Sequence, residues 1–124
     1  MNLIDLLGII EPNIKIKLFI DDKKNSILYS SPISSALIEK YYYNIIKIYT
    51  QNNKLILKIS STNNQNKTLN NYNEITLQDI LSLIDNLNIV KIFKNNIYID
   101  KYENYLNHTI NNINIINNHI CLYF

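Results

Sequence analysis

The sequence predicts an α+β protein of two tandem similar units, each running helix, strand, strand, short helix, strand, strand, with mostly antiparallel sheet. Three observations carry this expectation. One pattern of apolar residues recurs along the chain in the same order. Within each copy the apolar spacing switches from a helical period to a period of two. A polar stretch, Ser60–Thr68, holds no apolar residue and separates the copies.

The repeat is read residue by residue. Leu3, Asp5, Leu6, Leu7 and Ile10 match Leu77, Asp79, Ile80, Leu81 and Ile84 at a constant offset of 74. Ile14-Lys15-Ile16 then faces Val90-Lys91-Ile92, and Ile27-Leu28-Tyr29 faces Ile97-Tyr98-Ile99. Asn53–Ile59 faces Asn118–Phe124 at an offset of 65, as shorter loops in the second copy require. The units are therefore residues 1–59 and 75–124, with a flexible linker over 60–74. Each unit alone is small for a stable core, so the two are expected to pack as one pseudo-dimeric domain.

Leu3, Leu6, Leu7 and Ile10 stand at i, i+3, i+4 and i+7, one face of a helix. Asn2 caps it, with Asp5 three residues on, and Thr76 and Asp79 repeat the arrangement. Ile14, Ile16, Leu18 and Ile20 alternate with Lys15, Lys17 and Phe19, the period of a strand with a wet face. Asp21–Asn25 is a polar turn, and Ile27–Tyr29 is the returning strand. Ser31-Pro32 predicts a helix start, with Ile33, Ala36, Leu37 and Tyr41 on one face. Residues 44–49 and 54–59 read as a hairpin, as do 110–116 and 119–124. Asn52-Asn53 and Asn117-Asn118 tolerate the positive φ that such turns demand.

Composition excludes more than it suggests. Asn, Ile, Lys, Tyr and Phe account for 74 of the 124 residues, and all five have codons rich in A and T. Richness in Asn therefore reports an A+T-rich genome. Apolar residues at 47% argue against global disorder. No apolar run is long enough to span a membrane, and the N-terminal residues lack the basic start of a signal peptide. The expected compartment is a reducing cytoplasm. Formal charge is +3 over residues 1–59, 0 over 60–74 and −1 over 75–124.

Chemistry-bearing residues are few. His108, His119 and Cys121 are the whole soft-ligand set, short of a zinc site. Cys121 aligns with Ile56, an ordinary strand position, and Asp5 and Asp79 are accounted for by helix starts. The single Gly8 excludes a glycine-rich phosphate loop. No catalytic residue, metal or cofactor is expected. What remains is a surface. Lys15, Lys17, Lys47, Lys54 and Lys58 fall in strands or a hairpin of the first unit, near Tyr29 and Tyr49. Lysines and aromatics on one sheet face can bind single-stranded nucleic acid. Tyr41-Tyr42-Tyr43 cannot all face one core, so at least one should be exposed, as at protein interfaces. The candidate binding residues are Lys15, Lys17, Lys47, Tyr41, Tyr42 and Tyr43.

The stretches Asn2–Ile10 and Thr76–Ile84, Lys15–Leu18 and Lys91–Phe93, Ile27–Tyr29 and Ile97–Ile99, and Ile45–Ile59 and Ile110–Phe124 together resemble small phage and mobile-element proteins of A+T-rich bacterial hosts. The resemblance implies a non-catalytic inhibitor that binds and sterically blocks a host defence protein, possible partners including a CRISPR effector nuclease. A nucleic-acid-binding accessory module using the lysine and tyrosine face is the alternative. A monomer or homodimer suits either role.

Overall fold

A computed structural model describes residues 1–20, 24–63 and 74–124. The first unit contains α1 (Leu3–Leu7), β1 (Ile16–Ile20), β2 (Ser26–Tyr29), β3 (Tyr43–Gln51) and β4 (Lys54–Asn63). The second contains α2 (Leu77–Leu81), β5 (Val90–Lys94), β6 (Ile97–Ile99), β7 (Asn112–Ile116) and β8 (His119–Tyr123). Short 3-10 turns at Ser35–Lys40 and Glu103–Tyr105 join the hairpins of each unit. The fold is α+β, with one four-stranded sheet per unit, ordered β2-β1-β4-β3 and β6-β5-β8-β7.

Both hairpins of each unit form where alternation and turn chemistry place them. Asn52-Asn53, Asn95-Asn96 and Asn117-Asn118 all have positive φ, between 50° and 65°. A short polar side chain makes that region tolerable, which is why pairs of Asn serve where glycine is usual. The sheets are mixed, because the central pairs β1–β4 and β5–β8 run parallel. Ile16 faces Leu55, and Val90 faces Ile120 at the equivalent place. This register corrects the repeat alignment: Ile16-Lys17-Leu18, not Ile14–Ile16, is the counterpart of Val90-Lys91-Ile92. Likewise Ile27, opposite Leu18, corresponds to Ile99, opposite Ile92. A slip of two residues leaves every side chain on its face, so period-two patterns cannot detect it.

Other expectations are corrected too. The first helix ends at Leu7. Ile10 instead bridges to Ile113 of the second unit, whose strand edge offers the backbone partners that another helical turn would have supplied. The helix expected from Ser31-Pro32 is instead a 3-10 turn capped by Ser34, whose Oγ accepts from Ala36 N–H at 3.4 Å, while Ser31 Oγ donates to the Pro12 carbonyl at 2.7 Å and accepts from Ile33 N–H at 3.3 Å. Leu37 is its buried residue, while Ala36 and Ile33 are exposed. β4 continues through Asn63, paired with Tyr43, so residues 60–63 belong to the sheet and not to a linker. The rest of the expected linker, 64–73, and Asp21–Lys23 of the expected turn lie outside the described residues.

The inner sheet faces and both helices contribute to one core. Leu3, Leu6, Leu18, Leu57 and Ile59 of the first unit join Leu77, Ile80, Ile92, Ile113 and Leu122 of the second, each at most 2% exposed. The units meet across an approximate two-fold. Ile113 N–H donates to the Ile9 carbonyl at 2.7 Å, and Ile48 N–H donates to the Leu83 carbonyl at 2.9 Å. These are equivalent contacts, since Ile9 corresponds to Leu83 and Ile48 to Ile113. Glu11 accepts from the Asn112 amide where, in the mirrored place, Asp85 pairs with Lys47. At the dyad, Asn53 N–H donates to Asn118 Oδ1 at 3.1 Å and Asn118 N–H returns the bond to Asn53 Oδ1 at 2.9 Å. Residue i of one half meets residue j of the other and the reverse, the signature of an isologous interface. The outer edges of β3 and β7 thereby receive the segment that follows the other unit's helix, which hides two edges from stray pairing.

The two helix starts are unequal. Thr76 N–H donates to Asp79 Oδ2 at 2.9 Å and Thr76 Oγ1 accepts from Asp79 N–H at 3.2 Å, a complete capping box. Asn2 and Asp5 make the same box more loosely: Asn2 N–H donates to Asp5 Oδ2 at 3.2 Å, while the buried Asn2 Oδ1 faces Asp5 N–H without reaching hydrogen-bond geometry. Asn2→Thr, which copies the second unit into the first, is expected to stabilise the protein by about 1 kcal/mol. A thermal melt should rise by about 4 °C. An unchanged or lower midpoint would mean that the Asn2 amide contributes packing worth more than the missing bond.

Candidate functional site

The pleat sorts the first sheet's residues between core and solvent. Cross-strand partners share a face, so the outer face reads as two rows. One row is Leu28, Lys17, Ile56 and Tyr49 across β2, β1, β4 and β3. The next is Ser26, Phe19, Lys58 and Lys47 in the same order. Lys15 precedes β1 on the same alternation, and Lys54 with Gln51 closes the hairpin end. The strands place no acidic residue on this face.

Five lysines are thus gathered on one face of one sheet: Lys15, Lys17, Lys47, Lys54 and Lys58. Lys15 is exposed and the other four are half-buried. Lys17 Nζ stands 5.9 Å from the centre of the Phe19 ring, within cation–π range. Lys47 is engaged by Asp85 of the second unit, an exposed pair. Phe19 and Tyr49 are the half-buried rings among these lysines. Ile56, on the central strand, is 0% exposed although it lies on the outer face. The side chains around it therefore cover it and keep their stems flat on the sheet, as long lysines do when their ammonium groups stay wet.

Of the two tyrosines expected beside these lysines, Tyr49 is there and Tyr29 is not. Tyr29 pairs with Ile16 and is buried on the inner face. Tyr41, Tyr42 and Tyr43 are all half-buried, so none is the freely exposed ring the run suggested. Tyr41 and Tyr43 pack against the core. The start of β3 turns toward the interior there, a consequence of long-range packing to which a run of identical residues gives no clue. Phe19 is the ring that sequence reasoning passed over, although its place in the Lys15–Phe19 alternation was the signal for it.

The second sheet carries different chemistry at matching positions. Lys91 and Phe93 stand where Lys17 and Phe19 do, but Tyr123 replaces Lys58, His119 replaces Lys54, Asn114 replaces Tyr49 and Asn112 replaces Lys47. Phe93 stacks on Tyr123 with ring centres 5.0 Å apart and meets Tyr98 edge-on at 5.8 Å. The Asp100 carboxylate, hydrogen-bonded to Tyr98, raises that hydroxyl's pKa. Burial raises the pKa of Tyr123, with Cys121 and Glu11 adding to the effect. The second outer face is thus aromatic, with carboxylates at its margin.

The reactive side chains each have local partners. Cys121 is 2% exposed, and burial raises its thiol pKa, with Lys91 opposing. Its Sγ points to the His119 carbonyl at 4.0 Å, while His119 Nδ1 lies 3.0 Å from the Asn117 carbonyl. Asp5 and Asp79 are occupied by helix-start amides. Among the described residues, no three of His, Cys, Asp and Glu come together as metal ligands. No helix among them is long and apolar enough to cross a membrane. Compared with known proteins, the chain matches no protein-family model, no curated protein and no solved structure.

Proposed function

We propose that the chain is a non-catalytic nucleic-acid-binding accessory module whose working surface is the outer face of the first sheet. One observation carries this reading: five lysines interleaved with Phe19 and Tyr49 on strands that bring no acidic residue to that face. Lysines on a solvent-facing sheet provide a field for phosphates, and rings between them provide a surface for bases. The modest net charge of +2 conceals this concentration, and the carboxylate that reaches it, Asp85 of the second unit, engages Lys47 alone among the described pairs.

A phage-encoded inhibitor of a host defence protein would use the same lysines against an acidic protein surface. That role is less well supported, since Tyr41, Tyr42 and Tyr43 are all half-buried, Tyr41 and Tyr43 against the core, and none is the freely exposed ring expected at a protein interface. Affinity capture of the tagged full chain from bacterial lysate tests the choice. Nucleic acid should be retained, and lost on nuclease treatment. A CRISPR effector or other defence enzyme held at one-to-one stoichiometry after nuclease treatment would overturn the proposal in favour of the inhibitor.

A further inference from the structure

We infer that the nucleic acid is single-stranded, with Phe19 and Tyr49 as stacking positions and Lys15, Lys17 and Lys54 as phosphate contacts. This rests on the nucleic-acid reading and deepens it. The argument begins from what a pleated sheet can reach. A duplex hides the faces of its bases and offers phosphates and groove edges, and its major groove admits a helix or a two-stranded ribbon. A four-stranded sheet with half-buried rings on its face is too broad for that groove. An unpaired strand, by contrast, can lay its bases on rings.

Register sets the spacing. Phe19 lies on β1 and Tyr49 on β3, with β4 between them, and the two rings stand in adjacent rows. Two strand spacings and one two-residue step put them about 12 Å apart. Neighbouring stacked bases are only about 3.4 Å apart. One ring therefore takes one base, the other ring takes a base further along, and the strand between them must be unstacked. Lys58 and Ile56 of β4 lie on the diagonal between the rings. The Lys17 ammonium lies over the Phe19 ring at 5.9 Å, so a stacking base displaces it from the ring face and its flexible stem carries it to the phosphate of that nucleotide.

The second sheet is a built-in control. It keeps the Lys91 and Phe93 pair but has Asn114 in place of Tyr49 and His119 in place of Lys54. Phe93 is already stacked on Tyr123, so its ring is partnered within the sheet. This face lacks the lysine field, and replacing Lys91 should not weaken binding.

Fluorescence anisotropy of a labelled oligothymidylate, and of its duplex with oligoadenylate, tests the assignment across a salt series. For three lysines on a single strand, the plot of log affinity against log salt should have a slope of about −2. Lys15→Gln with Lys17→Gln should make that slope shallower by about 1.4. Phe19→Ala and Tyr49→Ala should each weaken binding by about 5- to 150-fold while leaving the slope unchanged. Phe19→Tyr should restore affinity, which separates loss of a ring from loss of fold, and Lys91→Gln should match the wild type. Duplex bound as tightly as single strand, with Phe19→Ala and Tyr49→Ala neutral, would overturn the single-strand assignment and leave the nucleic-acid reading standing. No binding of either probe at low salt would overturn both.

Discussion

Leu122→Ala is expected to destabilise the protein by about 2–5 kcal/mol, and to do so in both units together. Leu122 is 0% exposed on β8, opposite Ile92 on one side and Ile113 on the other. Removing its side chain leaves a cavity within the core that joins the two units. A domain of this size has a stability of only about 5–15 kcal/mol, so the loss should be large enough to follow by urea unfolding. Native-state hydrogen exchange supplies the decisive readout. Amides of β4, in the other unit, should lose the same protection as amides of β8. Leu57→Ala, at the equivalent place in the first unit, should give the mirror result. Loss of protection confined to the mutated unit would show two independently folding halves and defeat the idea of one shared core.

The second large effect is expected at the dyad. Asn118 has φ 63° and its Oδ1 accepts from Asn53 N–H. Asn118→Ala should cost about 2 kcal/mol, from left-handed backbone strain and a lost hydrogen bond together. Asn118→Gly removes the strain and keeps only the loss of the bond, so it should cost about 1 kcal/mol. Asn96 serves as reference: its φ is 65°, and among the described residues its side chain makes no hydrogen bond to the other unit. Asn96→Gly should be neutral or slightly stabilising by the glycine preference of such turns. Chemical denaturation of the three variants distinguishes the two contributions. Equal behaviour of glycine at 96 and 118 would mean that the reciprocal asparagine bonds contribute nothing to joining the units.

What could be read in the sequence was local or periodic. The Asn-Asn turns, the capping pair of Thr76 and Asp79, and the alternation that puts Lys17 and Phe19 on one face all follow from short-range rules. Three features required partners far along the chain. The parallel pairing of β1 with β4 joins strands nearly forty residues apart, and no turn residue signals it. Ile10 satisfies the helical spacing yet leaves the helix, because Ile113 is beside it. Tyr41 and Tyr43 are drawn inward by packing that their own neighbours do not reveal. The candidate surface was legible in its lysines, which the strand period fixes. Its aromatic members were legible only in part: Tyr49 lies on the face as its strand position implies, Tyr29 sits on the opposite face, and Phe19 is the ring that was passed over.

The approximate two-fold has a consequence for how such a molecule can change over generations. In a homodimer of single units, one substitution appears on both faces, so neither can acquire a charge or a ring that the other must do without. Joining the halves in one chain removes that coupling. Lys58 and Tyr123 occupy the same fold position, as do Lys54 with His119 and Tyr49 with Asn114, yet each pair has diverged. Central core positions have had less freedom: Leu3 with Leu77, Leu6 with Ile80, Leu18 with Ile92, Ile48 with Ile113 and Leu57 with Leu122 are Leu or Ile in both copies. A tandem chain thus lets the outer face of one half differ from that of the other while both continue to share one core.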